Sequence, residues 1–220
     1  RVIREVKPDL VAITGYITQE NAMKAVAALA KKMDEKIRTV VGGVHVQLNP
    51  NAFKIPEIDF IFRSASMVDF SAFIEVLSNN PFGDPLDKNS ELSGVNGLIY
   101  HGSRGHWFVN ELKSCDINSL PIPDRSHFNQ TRHLYRYLAF KEIATMKTAF
   151  SCPQNCSFCY CKQLNGGKYQ TRDLDEVMAE LIDIKADCVQ IVDDDFIADI
   201  ERAWAFAERV KTSGIQKNFI

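Results

Sequence analysis

The chain has 220 residues, 45% of them hydrophobic, which is the length of one large domain or two modest ones with apolar material for a core. Its 26 Lys and Arg stand against 28 Asp and Glu for a formal charge of -2, which argues against an electrostatic nucleic-acid binder or a polybasic membrane anchor. No run approaches the roughly 18 apolar residues of a membrane span and no signal peptide opens the chain, so a cytoplasmic protein is expected.

Residues 1–78 alternate short apolar runs with helical patterns, the signature of strand and crossover-helix units and hence of a parallel sheet. Arg1 to Val6 reads as the tail of a helix. Leu10-Val11-Ala12-Ile13 is the first strand, closed by Gly15. Thr18 is a plausible N-cap for a helix carrying Met23, Val26, Ala30 and Met33. Thr39-Val40-Val41 runs into Gly42-Gly43, where absent side chains suit either a tight turn or close approach of a ligand to the backbone. His45 reads as a loop histidine. Residues 58–62 form a third strand ahead of an amphipathic helix with Phe70, Phe73, Ile74 and Leu77. Three strands make an incomplete sheet.

Residues 79–140 read as a connector. Asn79-Asn80-Pro81, Gly83-Asp84-Pro85 and Ser93-Gly94 are turn chemistry. Gly97-Leu98-Ile99-Tyr100 and Trp107-Phe108-Val109 flank a glycine-bearing loop that suits a β-hairpin. From residue 141 the alternation resumes. A strand over residues 143–150 leads into a cysteine cluster; Asp173 and Glu176 cap a helix with Val177, Leu181 and Ile184 on one face. Cys188 to Val192 forms a strand ending in Asp193-Asp194-Asp195. A second helix then places Ile200, Ala203, Trp204, Ala207 and Val210 at helical spacing before Gly214 stops it, and residues 218–220 begin another strand. Because the chain starts at Arg1 and stops within this last run, it is expected to be a piece of something longer.

Of the 6 cysteines, Cys115 and Cys188 read as buried free thiols. Cys152, Cys156, Cys159 and Cys161 crowd one loop. The first three stand at intervals of four and three residues, and a loop of that kind can wrap one inorganic cluster, thiolates being soft ligands for iron. Three thiolates leave one iron open to a substrate or cofactor. Structural zinc, a disulfide, and a ferredoxin-like carrier with Cys161 as fourth ligand are the alternatives from the residues alone.

The Cys-x-x-x-Cys-x-x-Cys spacing with Phe158 before the third cysteine, after a strand and before an α/β alternation, resembles the radical S-adenosylmethionine enzymes. The segment from Gly166-Gly167-Lys168-Tyr169 to Arg172 and Glu176, and Asp193-Asp194-Asp195-Phe196, are similar to the subgroup that carries a cobalamin-binding domain ahead of the radical domain. So are Lys7-Pro8-Asp9-Leu10-Val11 and Val41-Gly42-Gly43-Val44-His45. The resemblance implies an α/β chain in three parts: a partial Rossmann-like cobalamin-binding domain over 1–78, the hairpin-bearing connector over 79–140, and the N-terminal part of a radical (β/α) barrel over 141–220.

It further implies that Cys152, Cys156 and Cys159 hold a 4Fe-4S cluster whose open iron is chelated by S-adenosylmethionine, with Phe158 near the adenine and Asp193 and Asp194 near the bound cofactor. A solvated acidic loop or a helix-capping role is the alternative for those carboxylates. Arg172 could reach a carboxylate, or lie on the surface. Gly42 and Gly43 would approach cobalamin. Methyl transfer to an unactivated carbon is the leading expectation, with ring formation as the alternative within the family and a non-catalytic metal-binding or electron-transfer module outside it. A small-molecule or peptide substrate and an external electron donor are the implied partners. The chain departs from the pattern at three places. No Asp-x-His-x-x-Gly motif is present, Ser64-Ala65-Ser66 stands where many relatives have Gly-Glu-Gly, and Phe150-Ser151 stands where many have Arg-Gly.

Overall fold

The computed structural model describes residues 2–79, 91–102, 105–161, 163–164 and 168–220. The expected turns at 80–85, the glycine pair Gly166-Gly167 and part of the 101–105 loop lie outside them. The chain divides into two compact units, Arg1–Cys115 and Asp116–Ile220.

The first unit runs α1 (Val2–Val6), β1 (Leu10–Thr14), α2 (Glu20–Met33), β2 (Arg38–Gly42), α3 (Val44–Leu48), β3 (Phe60–Phe62), α4 (Met67–Asn79), β4 (Leu98–His101) and β5 (Trp107–Val109). Its sheet has the order β1-β2-β3-β4-β5. The first three strands are parallel, with Ala12 opposite Val40 and Val41 opposite Ile61; β4 and β5 then add antiparallel, Ile61 facing Ile99 and Tyr100 facing Phe108.

The near-continuous apolar runs follow from burial on both faces. Along β2, β3 and β4 successive side chains alternate between two cores. Val41, Ile61 and Ile99 join Met23 and Ala27 of α2 on one side, while Val40, Phe60, Phe62, Leu98 and Tyr100 join Phe73 of α4 on the other. The helix after β1 starts at Glu20, after a short turn over Ile17–Gln19, rather than at Thr18.

The second unit contains α5 (Ser126–Thr131), a hairpin of β6 (Arg136–Tyr137) and β7 (Phe140–Lys141), then β8 (Ile143–Met146), β9 (Ala149–Phe150), β10 (Gln170–Thr171), α6 (Leu174–Asp183), β11 (Cys188–Ile191), α7 (Ile200–Ser213) and β12 (Asn218–Phe219). A parallel sheet has the order β12-β11-β8, and β9 and β10 form a separate antiparallel ribbon. Ala144, Met146 and Val189 of the sheet pack against Val177 and Leu181 of α6 and Phe206 of α7. Asp173 caps α6, accepting from the Asp175 amide rather than pairing with Glu176, and Gly214 ends α7 with a φ of 72°.

Two expectations are corrected by packing. The segment 79–140 is not a single connector, because β4 pairs with β3 and so carries the hairpin into the first unit's sheet, whereas α5 and the β6-β7 hairpin belong to the second unit. Along α7 Phe206 is buried with Ala203 and Val210 half-buried beside it, while Ala207 is exposed and Ile200 and Trp204 are 64% and 68% exposed. Periodicity alone allowed both phases, and the larger Phe206 side chain fills the core.

Candidate functional site

At the carboxyl ends of β1, β2 and β3 lies a cavity of about 310 Å³ lined by Ile13, Thr14, Gly42, Gly43, Phe62 and the Ser64-Ala65-Ser66 turn, among others. Parallel sheets bind ligands at this edge. The two glycines differ. Gly43 has a φ of 104°, and a Cβ there would stand 2.5 Å from Thr14 Oγ1, so its lack of a side chain is required by the fold. A Cβ on Gly42 would meet the Phe62 carbonyl oxygen at an ordinary 3.5 Å. The backbone at Gly42 accepts a side chain, and the cavity it lines would lose the space.

The serines after β3 are internally engaged. Ser64 Oγ donates to Asp69 Oδ2 and accepts from the Ser66 amide, while Ser66 Oγ accepts from the Asp69 amide. They start α4, and together with Ala65 and Met67 they line the cavity. His45, expected on a loop, is buried on α3, with Nε2 2.7 Å from Glu20 Oε2. Among the described residues no histidine lines this cavity. The mostly apolar crevice could take the edge of a large ring cofactor against Gly42, and among the described residues its lining supplies no imidazole for cobalt.

In the second unit the cysteine loop leaves β9 and returns to β10. Cys156 is exposed and Cys152, Cys159 and Cys161 are half-buried. Cys152 Sγ lies 4.0 Å from Asp195 Oδ2. Burial, first, and then a hydrogen bond with Cys159 and the neighbouring Asp194 push the Cys161 thiol up to about 12. Phe158 is 90% exposed. Among the described residues no three His, Cys, Asp or Glu side chains converge closely enough to hold a metal ion. The donor set nevertheless fits an iron-sulfur cluster in its chemistry, with three soft ligands on one loop beside the end of a parallel sheet.

The acidic run after β11 divides its work. Asp193 accepts from the amides of Thr148 and Ala149 at 2.6 and 3.0 Å and from Thr148 Oγ1 at 2.6 Å, so it fastens the turn between β8 and β9. Asp194 instead pairs with Lys147 Nζ at 3.4 Å, and that ammonium also stands 5.3 Å over the Phe150 ring. Arg202 of α7 donates to Thr148 Oγ1 and to the carbonyls of Thr148 and Arg172. Burial lowers its guanidinium pKa against the opposing charge of Asp193.

Behind these, Glu180 on α6 is 2% exposed and receives one arm from Arg125 and one from Arg172. Arg172 is thus neither a surface residue nor free to meet a ligand carboxylate. Its other bond goes to the Lys147 carbonyl, as that of Arg125 goes to Thr145. Sequence reasoning missed Thr148, Lys147, Glu180 and Arg202. The one available signal was Glu180, an acid placed three residues after Val177 on the apolar face of its helix.

Residues 1–68 match the family model of the B12 binding domain. An uncharacterized methyltransferase of Pyrococcus horikoshii is 25% identical over 98% of this chain and 46% of its own length. The cobalamin-dependent S-adenosylmethionine radical enzyme OxsB, solved with aqua-cobalamin and S-adenosylmethionine bound, superposes with a TM-score of 0.74 at 17% identity over 99% of this chain and 31% of its own. The chain has the fold of the cobalamin-dependent radical S-adenosylmethionine enzymes. The radical S-adenosylmethionine methyltransferase TsrM of Kitasatospora setae, with cobalamin and a [4Fe-4S] cluster, agrees at a TM-score of 0.65, 14% identity, 94% of this chain and 42% of its own. The chain therefore spans under half the length of these relatives. Among the described residues no helix is long and apolar enough to cross a membrane.

Proposed function

We propose that this chain belongs to a radical S-adenosylmethionine methyltransferase, with cobalamin at the carboxyl edge of the first sheet and a 4Fe-4S cluster on Cys152, Cys156 and Cys159. The observation that carries the reading is the cysteine loop itself, set between β9 and β10 in a chain whose first 68 residues match a B12 binding domain. Bound there, the cluster would supply an electron for radical chemistry on S-adenosylmethionine, and cobalamin would supply the methyl group for an unactivated carbon.

The chain's own residues position and shield. Asp193 and Arg202 fix the turn that leads into β9, from whose end the cysteine loop departs. Asp194 and Lys147 present a charged pair beside that loop, Asp194 being placed to accept hydrogen bonds from an ammonium or a ribose hydroxyl. The exposed Phe158 ring offers a face for adenine. Gly42, Phe62 and Ala65 keep the first unit's crevice apolar.

Anaerobic reconstitution tests this reading. It requires about four irons and four sulfides per chain, lost in Cys156→Ala and kept in Cys161→Ala. One zinc per chain, or equal dependence on Cys161, would overturn it.

A further inference from the structure

The cysteine loop is fastened at its base by the β9-β10 ribbon, where Phe150 stands opposite Gln170. A second, tighter closure lies inside it. Ser151 Oγ donates to the Cys161 carbonyl oxygen at 3.0 Å, and Cys152, Cys156 and Cys159 all fall between the two ends of that bond. Ser151 is 2% exposed and holds a φ of 64°, in the left-handed region that favours glycine. A serine here accepts backbone strain that a glycine would avoid. What it gains over glycine is the hydroxyl, and the hydroxyl is spent on closing the loop.

We propose that the Ser151–Cys161 hydrogen bond is a clasp that holds the three cysteines as one preformed loop, making Ser151 a positioning residue for the metal centre, with Cys161 contributing its carbonyl rather than its thiol. The clasp rests on the reading of Cys152, Cys156 and Cys159 as cluster ligands. Closing a short loop before the metal arrives removes part of the chain entropy that gathering three thiolates would otherwise cost. Groups that orient ligands without touching the metal change metal retention by tenfold or more in other sites.

The test compares the wild-type chain with Ser151→Gly, Ser151→Ala and Cys161→Ala after anaerobic reconstitution with iron and sulfide. Both serine variants lack the hydroxyl. Glycine relieves the strained φ, so Ser151→Gly folds at least as well as wild type by thermal melting even if Ser151→Ala does not. The expected result is loss of iron to a ferrous chelator about fivefold faster in both serine variants, with a changed electron paramagnetic resonance spectrum of the reduced cluster. Cys161→Ala keeps the wild-type rate and spectrum. A Ser151→Gly protein with the wild-type rate and spectrum overturns the clasp, as does loss of the cluster in Cys161→Ala. Absence of iron from the reconstituted wild type overturns the ligand reading, and the clasp with it.

Discussion

Asp193, at the end of β11, holds Thr148, beyond the end of β8, through both its backbone amide and its hydroxyl, each at 2.6 Å. A carboxylate with three donors converged on it is a structural staple between neighbouring parallel strands. Asp193→Ala leaves the amides of Thr148 and Ala149 without their acceptor and is expected to cost about 3 kcal/mol. Asp194→Asn weakens a partly exposed pair with Lys147 and keeps a side chain that can still hydrogen-bond beside Cys161, and it is expected to cost no more than about 1 kcal/mol. Urea denaturation separates the two, and equal losses would remove the distinction between the staple and its neighbour.

Glu180 is the counter-ion of two guanidiniums in the second unit, its own side chain 2% exposed and those of Arg125 and Arg172 12% and 10%. Removing the acid strands both cations in a poorly hydrated site, which costs about 3–5 kcal/mol. Glu180→Ala should therefore unfold the second unit at much lower denaturant than wild type. The exposed pair of Arg209 and Asp175 gives the contrast, since Asp175→Ala is expected to cost no more than about 1 kcal/mol. A Glu180→Ala midpoint close to that of Asp175→Ala would contradict this account.

Sequence patterning made the parallel elements legible because burial on both faces leaves few polar residues to blur them. Val40-Val41 and Phe60-Ile61-Phe62 could hardly be anything but central strands. The cysteine spacing was equally plain, since metal ligation depends on local intervals. What stayed hidden depends on contacts distant in sequence. Nothing local joins the 97–109 hairpin to β3, brings Arg125 to Glu180 across 55 residues, or brings Asp193 to Thr148 across 45. The roles of Asp193 and Asp194 differ although the residues are adjacent, because only the first faces the donors at the end of β8.

Gly42 and Gly43 are adjacent but should respond oppositely to alanine. Gly43→Ala meets a φ of 104° and a Cβ position 2.5 Å from Thr14 Oγ1, and is expected to destabilise the first unit by about 1–3 kcal/mol. Gly42→Ala makes only ordinary contact with Phe62 and should leave the thermal midpoint almost unchanged. Under the proposed function it intrudes on the cobalamin crevice and should weaken cobalamin retention about tenfold, read by equilibrium dialysis of the folded protein. A Gly42→Ala variant that keeps both its midpoint and its cobalamin would separate the crevice from cofactor binding.

Glu20 links α2 to α3 by taking Lys24 Nζ on one oxygen and His45 Nε2 on the other, at 2.6 and 2.7 Å. The hydrogen bond from Lys24, first, and that from His45, second, hold its carboxyl below the ordinary carboxylate value against a smaller opposing effect of burial. A carboxyl lowered on folding favours the folded state wherever it is ionised in both states, so its contribution is complete above the ordinary carboxylate range. It is lost as pH falls through the lowered folded value. The thermal midpoint of Glu20→Gln should accordingly lie below that of wild type at pH 7, and the gap should close as both are titrated towards pH 3. A gap that widens in acid would mean that Glu20 is protonated more readily folded than unfolded, opposite to what its hydrogen bonds with Lys24 and His45 dictate.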